Sequence, residues 1–175
     1  FDVRGDLAAN CCSIVMKNLW LARLARPDLF KPCQDLAMCR TKWTKADDKR
    51  LRRLIGYMKR SRRFHLRGYV GDLLENCQLH LYVDADFCGE VEHTKSNSGM
   101  FLVMVGPNTW FPLAWQSKRQ SSTARSTTEA ELISLAKAFF PHAIPMLNLF
   151  DLLISHTGKK MHLVIHEDNQ ATIKV

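Results

Sequence analysis

The sequence predicts an α/β protein. Its mixed sheet has three antiparallel strands, a crossover helix and a parallel fourth strand, and a small all-helical segment precedes it. Three observations predict this. The spacing of apolar residues changes from period 3.6 to period 2 near residues 68–78. Three period-2 runs then follow, joined by short polar or Gly-Pro-Asn connections. A capped, apolar-striped helix separates the third run from a fourth. The chain of 175 residues is one domain, or one domain plus part of another. We place the boundary at 75/76, giving a helical segment 1–75 and an α/β domain 76–175.

In the first segment, residues 7–25 read as a mostly apolar helix that must end before Pro27. Residues 26–28 form a turn, and a second helix covers about Leu29 to Cys39. Thr44 starts the clearest helix. Thr44 and Asp47 have capping-box spacing, and Asp47 and Asp48 sit at the positive helix end. Leu51, Leu54, Ile55 and Met58 make one apolar stripe. Lys49, Arg50, Arg52, Arg53, Lys59 and Arg60 surround it.

In the second segment, Leu79–Asp86 is the first strand, with Leu79, Leu81 and Val83 on one face. Residues 88–98 read as a polar loop. The second strand is Gly99–Val105, Gly106-Pro107-Asn108 is a turn, and the third strand is about Trp110–Ser117. Ser126 and Glu129 suggest a capping box, opening a helix whose expected buried stripe is Leu132, Leu135, Ala136 and Phe139. Pro141 and Pro145 should kink or break it. Further helical turns cover 146–154, the fourth strand is Met161–His166, and another helix begins at Gln170.

The formal net charge of +8 is unevenly placed: residues 1–75 carry 17 Lys and Arg against 8 Asp and Glu, and the rest 8 against 9. Two readings meet this asymmetry, a polyanionic partner such as nucleic acid and a solvated surface. With 46% hydrophobic and 24% charged residues the chain can bury a core. The six cysteines form no C-x-x-C pair and no zinc pattern, so reduced thiols in an intracellular protein are expected. No window reads as a membrane span or signal peptide, and no membrane partner is expected. The start at Phe1 suggests a piece of a longer polypeptide.

The chemistry gathers at strand ends. Asp84 and Asp86 point to one face of the first strand; a divalent cation between them and a strand running out into solvent both satisfy that pattern. If the fourth strand lies parallel beside the first, Asp168 comes close to Asp84, and Glu129 in the first turn of the crossover helix points to the same place. Such a set of carboxylates suits hard divalent metals. Taken singly, Glu129 can also simply close its capping box, and Asp168 can be an ordinary acid at a helix N-terminus. His80, His162 and His166 read as packing or surface residues, and Trp110 and Trp115 as sheet aromatics.

Five motifs carry a resemblance: YVDADFCG (82–89), SNSGMFLVMVG (96–106), AWQSKRQ (114–120), STTEAELISLA (126–136) and EDNQATI (167–173). In this order and spacing they resemble the ribonuclease H domain of copia-type LTR retrotransposon polyproteins. ARLARPDL (22–29) and LRRLIGYMKR (51–60) resemble the reverse-transcriptase thumb and connection that precede it. The resemblance implies a ribonuclease H-like fold and a nuclease that cuts the RNA strand of RNA–DNA hybrids during reverse transcription. It implies two Mg²⁺ ions, with Mn²⁺ as a substitute. Carried over, Asp84 would bridge both metals, Glu129 would bind one and Asp168 the other, with Asp86 an outer candidate. Lys118, Asn169, Gln170 and Ser117 would touch the substrate. Apart from the resemblance, the cations of 49–60 around one buried helix face can track phosphates or form a solvated basic face. Partners would be the hybrid and the rest of the Pol polyprotein, in a cytoplasmic virus-like particle or the nucleus. The family's fourth acid and last strand would lie in a segment after Val175, and the polymerase palm is absent from these residues. The alternative is a catalytically inactive transposon relic or a co-opted nucleic-acid-binding module.

Overall fold

The computed structural model describes residues 3–87 and 95–174, so residues 88–94 of the expected loop 88–98 lie outside the described residues. The chain forms two compact units, Phe1–Leu66 and Arg67–Val175.

The first unit is helical: α1 (Cys11–Leu24), α2 (Phe30–Met38) and α3 (Lys45–Arg60). Its core holds Cys11, Val15, Ala22, Leu29, Cys33, Leu36, Trp43, Leu51 and Leu54. The expected stripe of α3 faces this core: Leu51 and Leu54 are buried, while Ile55 and Met58 are half-buried against them. The capping box forms as the sequence suggests. Thr44 Oγ1 accepts from Asp47 N, and Asp47 Oδ2 accepts from Thr44 N at 2.9 Å. Thr44→Ala removes one half of that exchange and should cost about 1 kcal/mol in a denaturant titration of this unit. At the other end of α3, buried Arg26 donates to both oxygens of Asp28 and to Ser61 O and Oγ. The guanidinium holds the Asp28 carboxyl below its usual range.

The second unit is a four-stranded sheet of order β3-β2-β1-β4, with β1 Gln78–Asp86, β2 Asn97–Gly106, β3 Thr109–Arg119 and β4 His162–His166. The first three strands pair antiparallel, and β4 pairs parallel to β1 with Tyr82 opposite His166. This is the strand arrangement expected from sequence. Pro112 sits on the outer strand β3 at a register shift opposite Leu102 and Val103, where a missing N–H does least harm. The division of the units at 66/67 falls earlier than the boundary read at 75/76. Residues 69–72 are laced to the β2–β3 hairpin: Tyr69 pairs with Trp110, and Asp72 accepts from Asn108 N at 2.7 Å. Gly71 N and Asp72 N donate to Thr109 Oγ1.

The crossover runs through α4 (Thr127–Ala138), a π-helical turn (Phe139–Ala143) and α5 (Ile144–Ile154), with α6 (Gln170–Ile173) after β4. The prolines do not break the run. Pro141 lies in the wide turn, and Pro145 follows directly after it at the second residue of α5. Thr127–Thr157 is therefore one helical run, long and apolar enough in composition to cross a membrane, contrary to the sequence reading. Part of it packs on the sheet, with Ala138, Ala143, Phe150 and Ile154 joining Leu79, Leu81, Val83 and Leu102 in one core. The expected stripe of α4 also shifts. Leu132 is exposed, and the buried positions are Ala130, Glu131, Ser134 and Ala138. Small residues let the helix approach β1 closely, with Ala85, Ala124 and Ala130 in a cluster of their own. The described cysteines Cys11, Cys12, Cys33, Cys39 and Cys77 are free thiols.

Candidate metal centre

β1 and β4 run side by side with their C-terminal ends together. The last paired level is Tyr82 with His166, so Asp84 and Asp168 follow two residues later on each chain. Glu131 reaches them from α4. Ligand oxygens of Asp84, Glu131 and Asp168 all lie within 4.8 Å of one another. Asp84 and Asp168 are exposed, and Glu131 is 6% exposed. The sequence reading of Asp84 and Asp168 as neighbours thus has its geometry.

Glu129 is the correction. Ser126 Oγ accepts from Glu129 N at 3.1 Å, and the Glu129 carboxylate accepts from Arg125 N at 2.7 Å. The side chain is exposed and committed to the helix start, one residue further back than a standard box. Glu131 lies two residues on, about 200° around the helix, and so faces the sheet. The signal in the sequence was the pair itself: with two glutamates two residues apart, only one can face β1, and the cap claims the first.

The electrostatics single out Glu131. Its Oε2 is buried with no hydrogen-bond partner among the described residues. Burial pushes its carboxyl up to about 7, and the negative charges of Glu167, Asp84 and Asp168 push the same way. A hydrogen bond involving the Ala85 backbone works against them. Glu167 has one oxygen accepting from Asn169 N at 3.1 Å and the other buried without a partner among the described residues. A buried carboxylate whose oxygen lacks a partner and faces two more carboxylates is well matched to a cation. The donor set, all carboxylate oxygen, suits Mg²⁺ or Mn²⁺.

The remaining expected residues divide. Asp86 is exposed beside Asn97 and stands outside the triad. Asn169 caps α6, its Oδ1 accepting from Ala171 N and Thr172 N, while Gln170 is exposed in the first turn. Lys118 is exposed and Ser117 half-buried on β3. Burial, aided by the charge of Lys118, lowers the Lys137 ammonium. Lys49, Arg50, Arg52, Arg53, Lys59 and Arg60 are all exposed on α3 in the helical unit. Next to the carboxylates, the Tyr82 and His166 rings stack at 4.2 Å, and His166 shares a hydrogen bond with His80 at 2.9 Å. Trp110 and Trp115 flank Phe101 on the sheet, as sheet aromatics should.

No protein-family model matches the chain. Among curated proteins, the chain is similar to retrovirus-related Pol polyproteins of plant transposons. It is 39% identical over 74 residues to the "Retrovirus-related Pol polyprotein from transposon TNT 1-94" of Nicotiana tabacum, covering 40% of this chain. It is 29% identical over 122 residues, 70% of this chain, to that from transposon RE1 of Arabidopsis thaliana. The matches span only 5% and 8% of those polyproteins. A shorter protein, "Secreted RxLR effector protein 161" of Plasmopara viticola, is 29% identical over 131 residues, 72% of this chain and 84% of its own length.

Proposed function

We propose that the second unit is the ribonuclease H of a copia-type retrotransposon Pol polyprotein, hydrolysing the RNA strand of RNA–DNA hybrids with divalent metal. The single observation that carries this is the carboxylate triad Asp84, Glu131 and Asp168 at the joined ends of two parallel strands. The motif order and the similarity to transposon Pol polyproteins support it. In this reading Glu131 takes the place expected of Glu129.

Bound there, Mg²⁺ or Mn²⁺ would supply Lewis acidity, activating water and offsetting charge on the leaving 3′ oxygen. Asp84, Glu131 and Asp168 provide the oxygen ligands. The ends of β1 and β4 hold two of them at fixed spacing, and the first turns of α4 hold the third, so little reorganisation accompanies binding. Lys118, with Gln170 and Ser117, offers polar contact to the nucleic-acid backbone. The cations of α3 give the helical unit, the thumb- and connection-like segment, a surface for phosphates. Partners would be the hybrid and the remainder of the polyprotein, inside the cell in a virus-like particle or the nucleus.

The test is cleavage of an RNA–DNA hybrid with Mg²⁺ or Mn²⁺. Asp84→Asn should lower the rate by at least about a thousandfold, because it removes a ligand that other groups cannot replace. An unchanged rate would overturn the assignment. A second reading is a co-opted nucleic-acid-binding module without catalysis. One observation bears on it: in the similar secreted effector protein the matched segment makes up most of the whole protein, so a segment of this kind stands there apart from a long polyprotein. Hybrid binding that weakens steeply with salt, with no cleavage under either metal, would select this reading.

A further inference from the structure

We propose that Ser134 is a positioning residue of the metal centre, holding the strand that carries Asp84 at a set distance from the helix that carries Glu131; this rests on the cation-binding reading above. Ser134 is 1% exposed. Its hydroxyl donates to the backbone carbonyl of Asp84 at 2.9 Å, with the carbonyl of Gly99 at 3.4 Å. Asp84 and Gly99 face each other across β1 and β2, so one hydroxyl touches both strands at the level of the site. Glu131 lies three residues earlier on α4, and residues three apart share a helix face.

Three features make this contact matter. Pairing of β4 with β1 stops at the Tyr82–His166 level, so that ladder does not reach Asp84. The apolar packing beside it comes mostly from Ala85, Ala124 and Ala130, with Phe87 and Ile133 at the margin. Methyl groups let the helix come close but interlock weakly, so they limit sliding poorly. A hydroxyl has one proton, and the shorter, better bond goes to the residue whose carboxylate is in the triad. Helix and strand are thereby joined next to both ligands, by a group that touches neither a cation nor a substrate.

The test is Mn²⁺ titration of the full chain by calorimetry, beside thermal denaturation. Ser134→Ala should weaken Mn²⁺ binding about 10- to 100-fold. Ile154→Val, a core change in the same unit, should lower the melting temperature without moving Mn²⁺ affinity. The pair Ser134→Thr and Ser134→Val adds similar bulk with and without the hydroxyl; Thr should bind Mn²⁺ more tightly than Val. Wild-type affinity in Ser134→Ala, equal affinity in the Thr and Val variants, or an equal loss in Ile154→Val would overturn the proposal. Asp84→Asn separates the two levels. If it binds Mn²⁺ like wild type, the cation reading falls; if it alone loses binding, only the role of Ser134 falls.

Discussion

Glu131→Gln should abolish divalent-cation binding and yet stabilise the cation-free protein above pH 7. The sign follows from the carboxyl's position in the fold. Its pKa rises from about 4.5 to about 7, mainly through burial and then through neighbouring carboxylates. A raised carboxyl contributes stability below its unfolded pKa, and that contribution is lost as pH climbs through the folded value. At pH 8 the wild type holds a buried anion among other anions, whereas the glutamine amide of the variant is neutral. The variant should then be more stable by about 2 kcal/mol in chelator, and near wild type at pH 4. Mn²⁺ should reverse the order at pH 8, because only the wild type gains from binding. Glu129→Gln should leave Mn²⁺ affinity unchanged and lose a few tenths of a kcal/mol at the helix start. Thermal melts in chelator and in Mn²⁺ at both pH values measure all of this. A Glu131→Gln protein stabilised by Mn²⁺ as strongly as wild type would remove Glu131 from the site.

Leu81→Ala is the second large effect, at about 3–5 kcal/mol. Leu81 is fully buried at the centre of β1, paired across to Leu102 on one side and Ile165 on the other. Neighbours on both strands and α5 surround the space it would vacate, so the cavity cannot close by a local shift. Urea denaturation should show the midpoint falling sharply with little change in slope. Leu152→Ala, at a position 71% exposed, should stay within about 0.5 kcal/mol. Equal losses at the two positions would contradict the packing described.

The strands were legible because β1 is half-buried, and the alternation of Leu79, Leu81 and Val83 states its face directly. Thr44 and Ser126 announced their helices because caps are local chemistry. The approach of Asp84 to Asp168 was legible as topology, since a crossover helix makes the joined strands parallel. What the residues hid was rotation. α4 is apolar on more than one side, and Leu132 outweighs Ala130 on any hydropathy scale. Close approach to β1 favours the small side chain, and so the buried face is set by space and not by hydropathy. The same error of rotation chose Glu129 over Glu131. Continuity through Pro141 was hidden too, because a proline ordinarily ends a helix and only the wider turn accommodates it.

That wider turn sets the phase of the crossover. Each residue of an α-helix advances about 100°. Phe139–Ala143 lies between two stretches that share one core: Ala138 before it, Phe150 and Ile154 after it. A π turn closes with one residue more than an α turn, so the surplus residue is taken up in the bulge and not passed on as rotation. Deleting Pro141 should close the turn into ordinary helix and leave Phe150 and Ile154 over the sheet. Deleting a residue of α5 ahead of Phe150 should swing both about 100° away from it. The bulge is where the crossover can lose a residue and keep its face.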